Sequence, residues 1–304
     1  MFRMTTPFRC SVAALDLPMA GTAATDTGFL LIEHPGPWGN KALAESRLVP
    51  EAARDALALA AAARGIRVQL IRRPGERAPA GTTFRVFLAH PAAGRLDVQD
   101  LNDRAALADL DLDLATRGPG WQPYAGSLLL ICTNGRRDIC CAEFGRPVAQ
   151  AAAAALPEET WETTHLGGHR FAVAALTLPD GMSYGRVDAD AARVIGEAAG
   201  AGAVVPAYLR GRSSYPPQVQ AAEIALYAAL GVTAVDAFTL VDDTTADGAG
   251  VVTFRLGEVE HEVAVTAYEQ APARQSCADL AEKPSTTWRV ESVRARAGSD
   301  SGSR

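Results

Sequence analysis

A chain of 304 residues, 48% hydrophobic and 21% charged, has the make-up of a soluble globular protein with room for one large domain or two modest ones. Its net charge of −6 provides no basic face for phosphates, so a nucleic-acid partner is not expected. No apolar run approaches the roughly 20 residues that span a bilayer, and the N-terminus lacks a signal-peptide pattern, so the expectation is a cytoplasmic protein without membrane insertion.

In chain order, residues 28–34 read as a buried strand, followed by the loop Pro35-Gly-Pro-Trp38-Gly39. Residues 50–64 read as a helix, with Pro50 at its start and Gly65 just after its end. Residues 66–72 and 82–88 have strand patterns with a Pro/Gly-rich turn between them. A second cycle follows: a short apolar strand over 127–132, a helix over 145–156 and another apolar strand over 170–178. Two cycles of similar order predict an α/β fold of two thioredoxin-like units. Beyond Tyr184 come helices at 188–199 and 216–230, then strands at 232–241, 250–256 and 259–267, the last two joined by a tight hairpin at Gly257-Glu258. The expected organisation is an N-terminal α/β unit over 1–120, a second unit with a C-terminal α/β extension over 121–290, and a disordered Arg/Gly/Ser-rich tail over 291–304.

The chemistry concentrates in two segments. Cys132-Thr-Asn-Gly-Arg-Arg-Asp-Ile-Cys140-Cys141 and His165-Leu-Gly-Gly-His169 gather three of the five cysteines and two of the five histidines into under 40 residues. An odd number of cysteines, clustered this way, argues for reduced thiols at a site rather than a disulfide framework. Thiolates and imidazoles together suit zinc or an iron–sulfur centre. Cys132 sits where an apolar strand meets a loop, where α/β sheets present ligands. The glycines between His165 and His169 permit a bend that aims both imidazoles at one point. Cys140 and Cys141 are neighbours on what reads as extended backbone, so they point apart and only one is expected to be a ligand.

Other readings compete. Cys132 alone would pass for a buried strand-end cysteine, and Arg137–Asp138 for a local ion pair. A thiol-redox role lacks a Cys-x-x-Cys pair. Arg210, Arg212 and Tyr215 would suit an anionic substrate, against a solvated loop before a proline-capped helix as the plainer alternative. Trp38, Trp121, Trp161 and Trp288 read as packing anchors, His261 as exposed among acids, and Cys10 and Cys277 as isolated non-ligands.

At the Cys and His segments the chain resembles the sucrase/ferredoxin-like family, whose fungal members are thioredoxin-like ferredoxins with a bis-histidine [2Fe-2S] cluster. The resemblance rests on Cys132-x-x-Gly-Arg-Arg137-Asp138-x-x-Cys141, His165-x-Gly-Gly-His169-Arg-Phe171-Ala172 and Tyr184-Gly185-Arg186-Val187. Gly21-Thr22-Ala23, Pro35-Gly-Pro-Trp38-Gly and the Arg210-Gly-Arg212-Ser-Ser-Tyr-Pro-Pro segment extend it over roughly 8–290. It implies Cys132 and Cys141 on one iron and His165 and His169 on the other. Read from ligand types alone, a structural zinc ion at the same four residues is the alternative. The implied protein is a one-electron carrier with a redox donor and acceptor as partners. Imidazole ligation would raise its potential above plant-type ferredoxins, and the imidazole N–H groups would couple it to pH. A glycosidase needs two carboxylates flanking a sugar bond, and Glu33, Asp138 and Glu223 have no spacing that singles them out.

Overall fold

The computed structural model describes residues 7–75 and 83–296. A short helix α1 (Cys10–Ala13) precedes β1 (Gly28–Glu33), whose apolar run is buried almost throughout. Helix α2 (Glu51–Ala62) returns the chain; it buries Ala53, Leu57 and Ala61, one stripe at helical spacing, and Gly65 ends the turn after it with φ +64°. β2 (Ile66–Arg72) then lies parallel to β1. β3 (Phe84–His90) pairs antiparallel with β1 on its other side, followed by β4 (Arg95–Leu101) and the two-residue β5 (Gln122–Pro123). The expected Pro/Gly-rich turn before β3 lies largely in 76–82, outside the described residues.

The path repeats in the second half. β6 (Leu128–Cys132) leads into α3 (Ile139–Ala155), and β7 (Thr160–Thr163) returns parallel to β6. β8 (Ala175–Leu178) pairs antiparallel with β6, and β9 (Met182–Tyr184) with β8. The orders β2-β1-β3-β4 and β7-β6-β8-β9 therefore match strand for strand, including sense. The halves join where β2 and β7 pair antiparallel, Ile71 opposite Thr163, giving one continuous ten-stranded sheet. The fold is α/β, as expected.

Helix α4 (Ala189–Gly200), strand β10 (Leu209–Arg212) beside β9, and helix α5 (Pro217–Leu230) complete the second half. A four-stranded antiparallel sheet follows, β11 (Thr239–Asp243), β12 (Ala249–Leu256), β13 (Val259–Arg274) and β14 (Glu282–Arg296). Its inner face, Val252, Phe254, Val263 and Val265, packs into the same core as Leu226 and Tyr227 of α5. Among the described residues no helix is long and apolar enough to cross a membrane.

Four expectations change, and the part of the expected tail over 297–304 lies outside the described residues. The strand expected over 232–241 forms only as Thr239–Asp243. Residues 291–296 are strand rather than tail: Arg294 and Arg296 face Glu262 and Glu260 across the ladder, so the arginines form the charged face of a paired strand. His261 is buried, not exposed, because the two-residue alternation of β13 puts it on the same face as Val263 and Val265. Strand structure expected from Arg170 begins only at Ala175, since a 3₁₀ turn over His169–Phe171 occupies the start. Trp38, Trp121 and Trp161 are buried packing residues.

His34 anchors the Pro35–Gly39 loop. Its Nδ1 accepts the Gly36 N–H at 3.0 Å, its Nε2 meets Ser46 Oγ at 2.8 Å, and its carbonyl accepts the Trp38 indole N–H. Burial first, then Arg104 and Arg72, lowers this imidazole to about 4. The folded value lies below the free value of about 6.5, so the unfolded chain takes the proton first. Stability is therefore lost as pH falls from about 6.5 toward 4, at about 1.4 kcal/mol per pH unit. Thermal melts across that window are expected to fall more steeply for wild type than for His34→Gln; equal slopes would contradict the assignment.

Candidate metal centre

Cys132 closes β6, buried, and Asp138 opens α3 as its N-cap, with Oδ1 accepting the Cys140 N–H at 3.0 Å. The helix thus begins at Ile139, well before the expected Gly145, and Cys140 and Cys141 occupy its first turn. Neighbours on a helix diverge by about 100°, so the two thiols still part. Cys141 turns toward Cys132, and Cys140 turns away toward Cys10 and Cys277. Close packing of α3 on β6 needs Gly145, where a Cβ would collide with the Cys132 carbonyl oxygen.

The histidine loop links β7 to the 3₁₀ turn at His169. Gly167 and Gly168 both take left-handed backbone, φ +87° and +67°, and a Cβ on Gly168 would strike the Arg210 guanidinium. That guanidinium is fully buried beneath the loop; it donates to Gly167 O at 3.0 Å, to Thr22 Oγ1 at 3.2 Å and to Thr22 O. Burial and then Arg170 lower its pKa to about 10, so it remains charged at neutral pH. The Gly21-Thr22-Ala23 and Arg210 motifs, distant in sequence, thus serve the same loop. From the other half, Gln69 on β2 donates to His165 O at 3.1 Å.

These elements converge. Cys132, Cys141 and His165 offer donor atoms within 4.8 Å of one another, and His169 lies beyond, its Nδ1 3.4 Å from His165 Nε2. The outer nitrogens, His165 Nδ1 and His169 Nε2, are buried without a hydrogen-bond partner among the described residues, though His169 Nε2 faces the Asp138 carboxylate at 3.8 Å. Cys141, then His165, holds the Cys132 thiol well below the usual range, while Cys132 and burial push Cys141 up. Burial, then His165, lowers His169.

Sequence reasoning missed Cys10 and Cys277. Far from isolated, both gather with Cys140 around Asp138, although 267 residues separate them. No local spacing could reveal this, because the two arrive from opposite ends of the chain. All five cysteines are free thiols. Arg212 is likewise no solvated loop residue: it is paired with buried Glu223 at 2.6 Å and donates to Val235 O. Its charge is spent inside the fold, which leaves little for an anionic substrate. Of the carboxylates, Asp138 caps a helix, Glu223 holds Arg212, and Glu33 accepts the Arg85 N–H.

The family model for sucrase/ferredoxin-like proteins matches residues 19–211, a span holding Cys132, Cys141, His165 and His169. No curated protein and no solved structure matches the chain.

Alanine in place of glycine within a helix ordinarily gains about 1 kcal/mol. Gly145→Ala is expected instead to lose about 1–3 kcal/mol through overpacking against β6, whereas Gly200→Ala, with only Ser127 Oγ nearby at 3.8 Å, should not destabilise. Denaturant unfolding of both variants checks the pair; a stabilised Gly145→Ala would contradict the close approach.

Proposed function

We propose that this chain, which belongs to the sucrase/ferredoxin-like family, is an electron-transfer protein whose Cys132, Cys141, His165 and His169 hold a [2Fe-2S] cluster. The observation that carries the reading is the pair of imidazole nitrogens 3.4 Å apart, with the Cys132 and Cys141 sulfurs and a His165 nitrogen within 4.8 Å of one another. Two nitrogens on one tetrahedral metal, with bonds of about 2.0–2.1 Å, stand about 3.4 Å apart.

The shape of the donor set favours two metals over one. Around a single tetrahedral zinc ion all four donors lie within about 3.8 Å, yet His169 falls outside the group formed by Cys132, Cys141 and His165 within 4.8 Å. A set that runs from the two thiols through His165 to His169 is longer than one ion's shell and suits a dinuclear centre. Bound there, the cluster would supply one-electron chemistry at a potential raised by imidazole ligation.

The chain's own residues fix the rest. Cys132 and Cys141 are buried, whereas the His169 side chain is 15% exposed beside a cavity of about 190 Å³ lined by Arg170 and Gln275. The imidazole end is thus the face that a redox partner can approach. Arg210 and Gln69 hold the loop, and Asp138 faces the outer nitrogen of His169, the kind of support that orients ligating histidines. Free thiols throughout suit a reducing compartment such as the cytoplasm.

Anaerobically purified protein is expected to be reddish-brown, with about two irons and two acid-labile sulfides per chain. Cys132→Ser and Cys141→Ser should abolish the colour, while His165→Cys should keep it and shift the potential downward toward plant-type ferredoxins. A colourless zinc protein, or an unchanged potential in His165→Cys, would overturn the reading.

A further inference from the structure

We propose that Cys10, Cys140, Cys277 and Asp138 form a second metal site that takes a single zinc ion and acts as a structural clasp. Two of its four residues, Cys10 and Cys277, lie outside the span matched by the family. The site is therefore argued from this chain alone, and it does not depend on the [2Fe-2S] reading.

The geometry is that of one tetrahedral ion. With zinc–sulfur bonds of about 2.3 Å, three thiolates on one tetrahedral zinc stand about 3.8 Å apart, and a carboxylate oxygen about 3.6 Å from each sulfur. The structure has Cys10 to Cys140 at 3.8 Å, Cys10 to Cys277 at 3.6 Å and Cys140 to Cys277 at 3.3 Å. The Asp138 oxygens lie 3.6 and 3.7 Å from the Cys10 sulfur. Thiolates that each bound a different iron of a cluster would spread further apart. A disulfide needs sulfurs at about 2.05 Å, uses only two of the three, and gives the carboxylate no part.

The surroundings suit a cation. Asp138 Oδ2 accepts two hydrogen bonds, from the Cys277 N–H at 2.8 Å and the Ser276 hydroxyl at 2.9 Å. Oδ1 accepts the Cys140 N–H and the Cys10 S–H, and once Cys10 gives up its proton the second lone pair is free for a metal. The Cys10 N–H points at the Cys277 sulfur at 3.3 Å, a contact that supports a thiolate. Three of the four residues are buried, and no lysine or arginine pairs with Asp138 among the described residues. The N–H and hydroxyl donors around it hold this carboxylate as an anion, so it presents a negative charge beside the three sulfurs. When the metal binds, each ligating thiol gives up its proton to solvent. Arg274, which donates to Cys277 O at 2.9 Å, with Arg170 acting on Cys10, offsets the resulting negative charge. Three soft sulfurs with one hard oxygen at tetrahedral spacing select zinc over copper(I) or calcium.

The four ligands come from the start of α1, the start of α3 and the connection between β13 and β14. One ion would therefore fasten the N-terminal segment and the C-terminal sheet to the helix that carries Cys141.

Metal analysis of the full chain, with zinc X-ray absorption on the same sample, tests this. The expected result is about one zinc per chain with a shell of three sulfurs and one oxygen. Cys277→Ser, at the least buried ligand, is expected to weaken zinc retention against a chelator by more than about tenfold and to lower the melting temperature, with iron content and visible spectrum unchanged. Zinc at trace level, a shell of two sulfurs and two nitrogens, or a disulfide found by mass spectrometry among Cys10, Cys140 and Cys277 would each overturn the proposal. The absorption measurement on wild type decides the matter even if the variant fails to fold.

Discussion

The Asp138 carboxylate is the joint on which the site depends. By capping α3 it starts the helix at Ile139 and so sets the direction of both Cys140 and Cys141. Its other oxygen grips Ser276 and Cys277, which arrive from the far sheet, and it faces His169 at 3.8 Å. Burial alone would raise this group. The N–H groups of Cys277 and Cys140, with the Ser276 hydroxyl and the Cys277 thiol, outweigh that and bring it down to about 2. It is ionised wherever the protein is folded near neutral pH, and an ionised acceptor makes the stronger hydrogen bonds.

Around that joint the two halves of the large sheet support each other. The first half has no ligand of its own in the Cys132–His169 set, yet Gln69 holds the His165 carbonyl and Gly39 O receives the Asn134 amide. Arg72 reaches from β2 to Glu162 and stacks on Trp38, and Glu162 in turn accepts from Thr133 beside Cys132. The second half of the sheet carries the four proposed ligands, and the first half restrains the loops that present them. Metal sites need such outer support to fix ligand orientation.

Much of this was legible in the sequence, for identifiable reasons. The buried strands β1 and β6 announce themselves as apolar runs, β2 by alternation, and α2 by Pro50 and Gly65 at its ends. The Cys and His segments were visible because their residues lie close in sequence, and the Gly167–Gly168 bend because glycine has few other reasons to occur twice there. The start of α3 was misjudged because Asp138 was read as half of an ion pair rather than as a cap. β14 was missed because its arginines resemble a solvated tail until the acids of β13 are placed opposite them. The meeting of Cys10 with Cys277 is set by topology alone. The burial of Arg210 and Arg212 follows from partners, Thr22 and Glu223, that only the folded chain supplies.

The central claim is a dinuclear iron centre with imidazoles on one side only. The most direct test is electron paramagnetic resonance of the chemically reduced protein, prepared with and without ¹⁵N-labelled histidine. The account predicts a reduced-cluster signal with hyperfine coupling to two imidazole nitrogens, altered by the label and reduced to one nitrogen in His169→Cys. A signal without nitrogen coupling, or a protein that gives none because it holds zinc at Cys132 and Cys141, would contradict it.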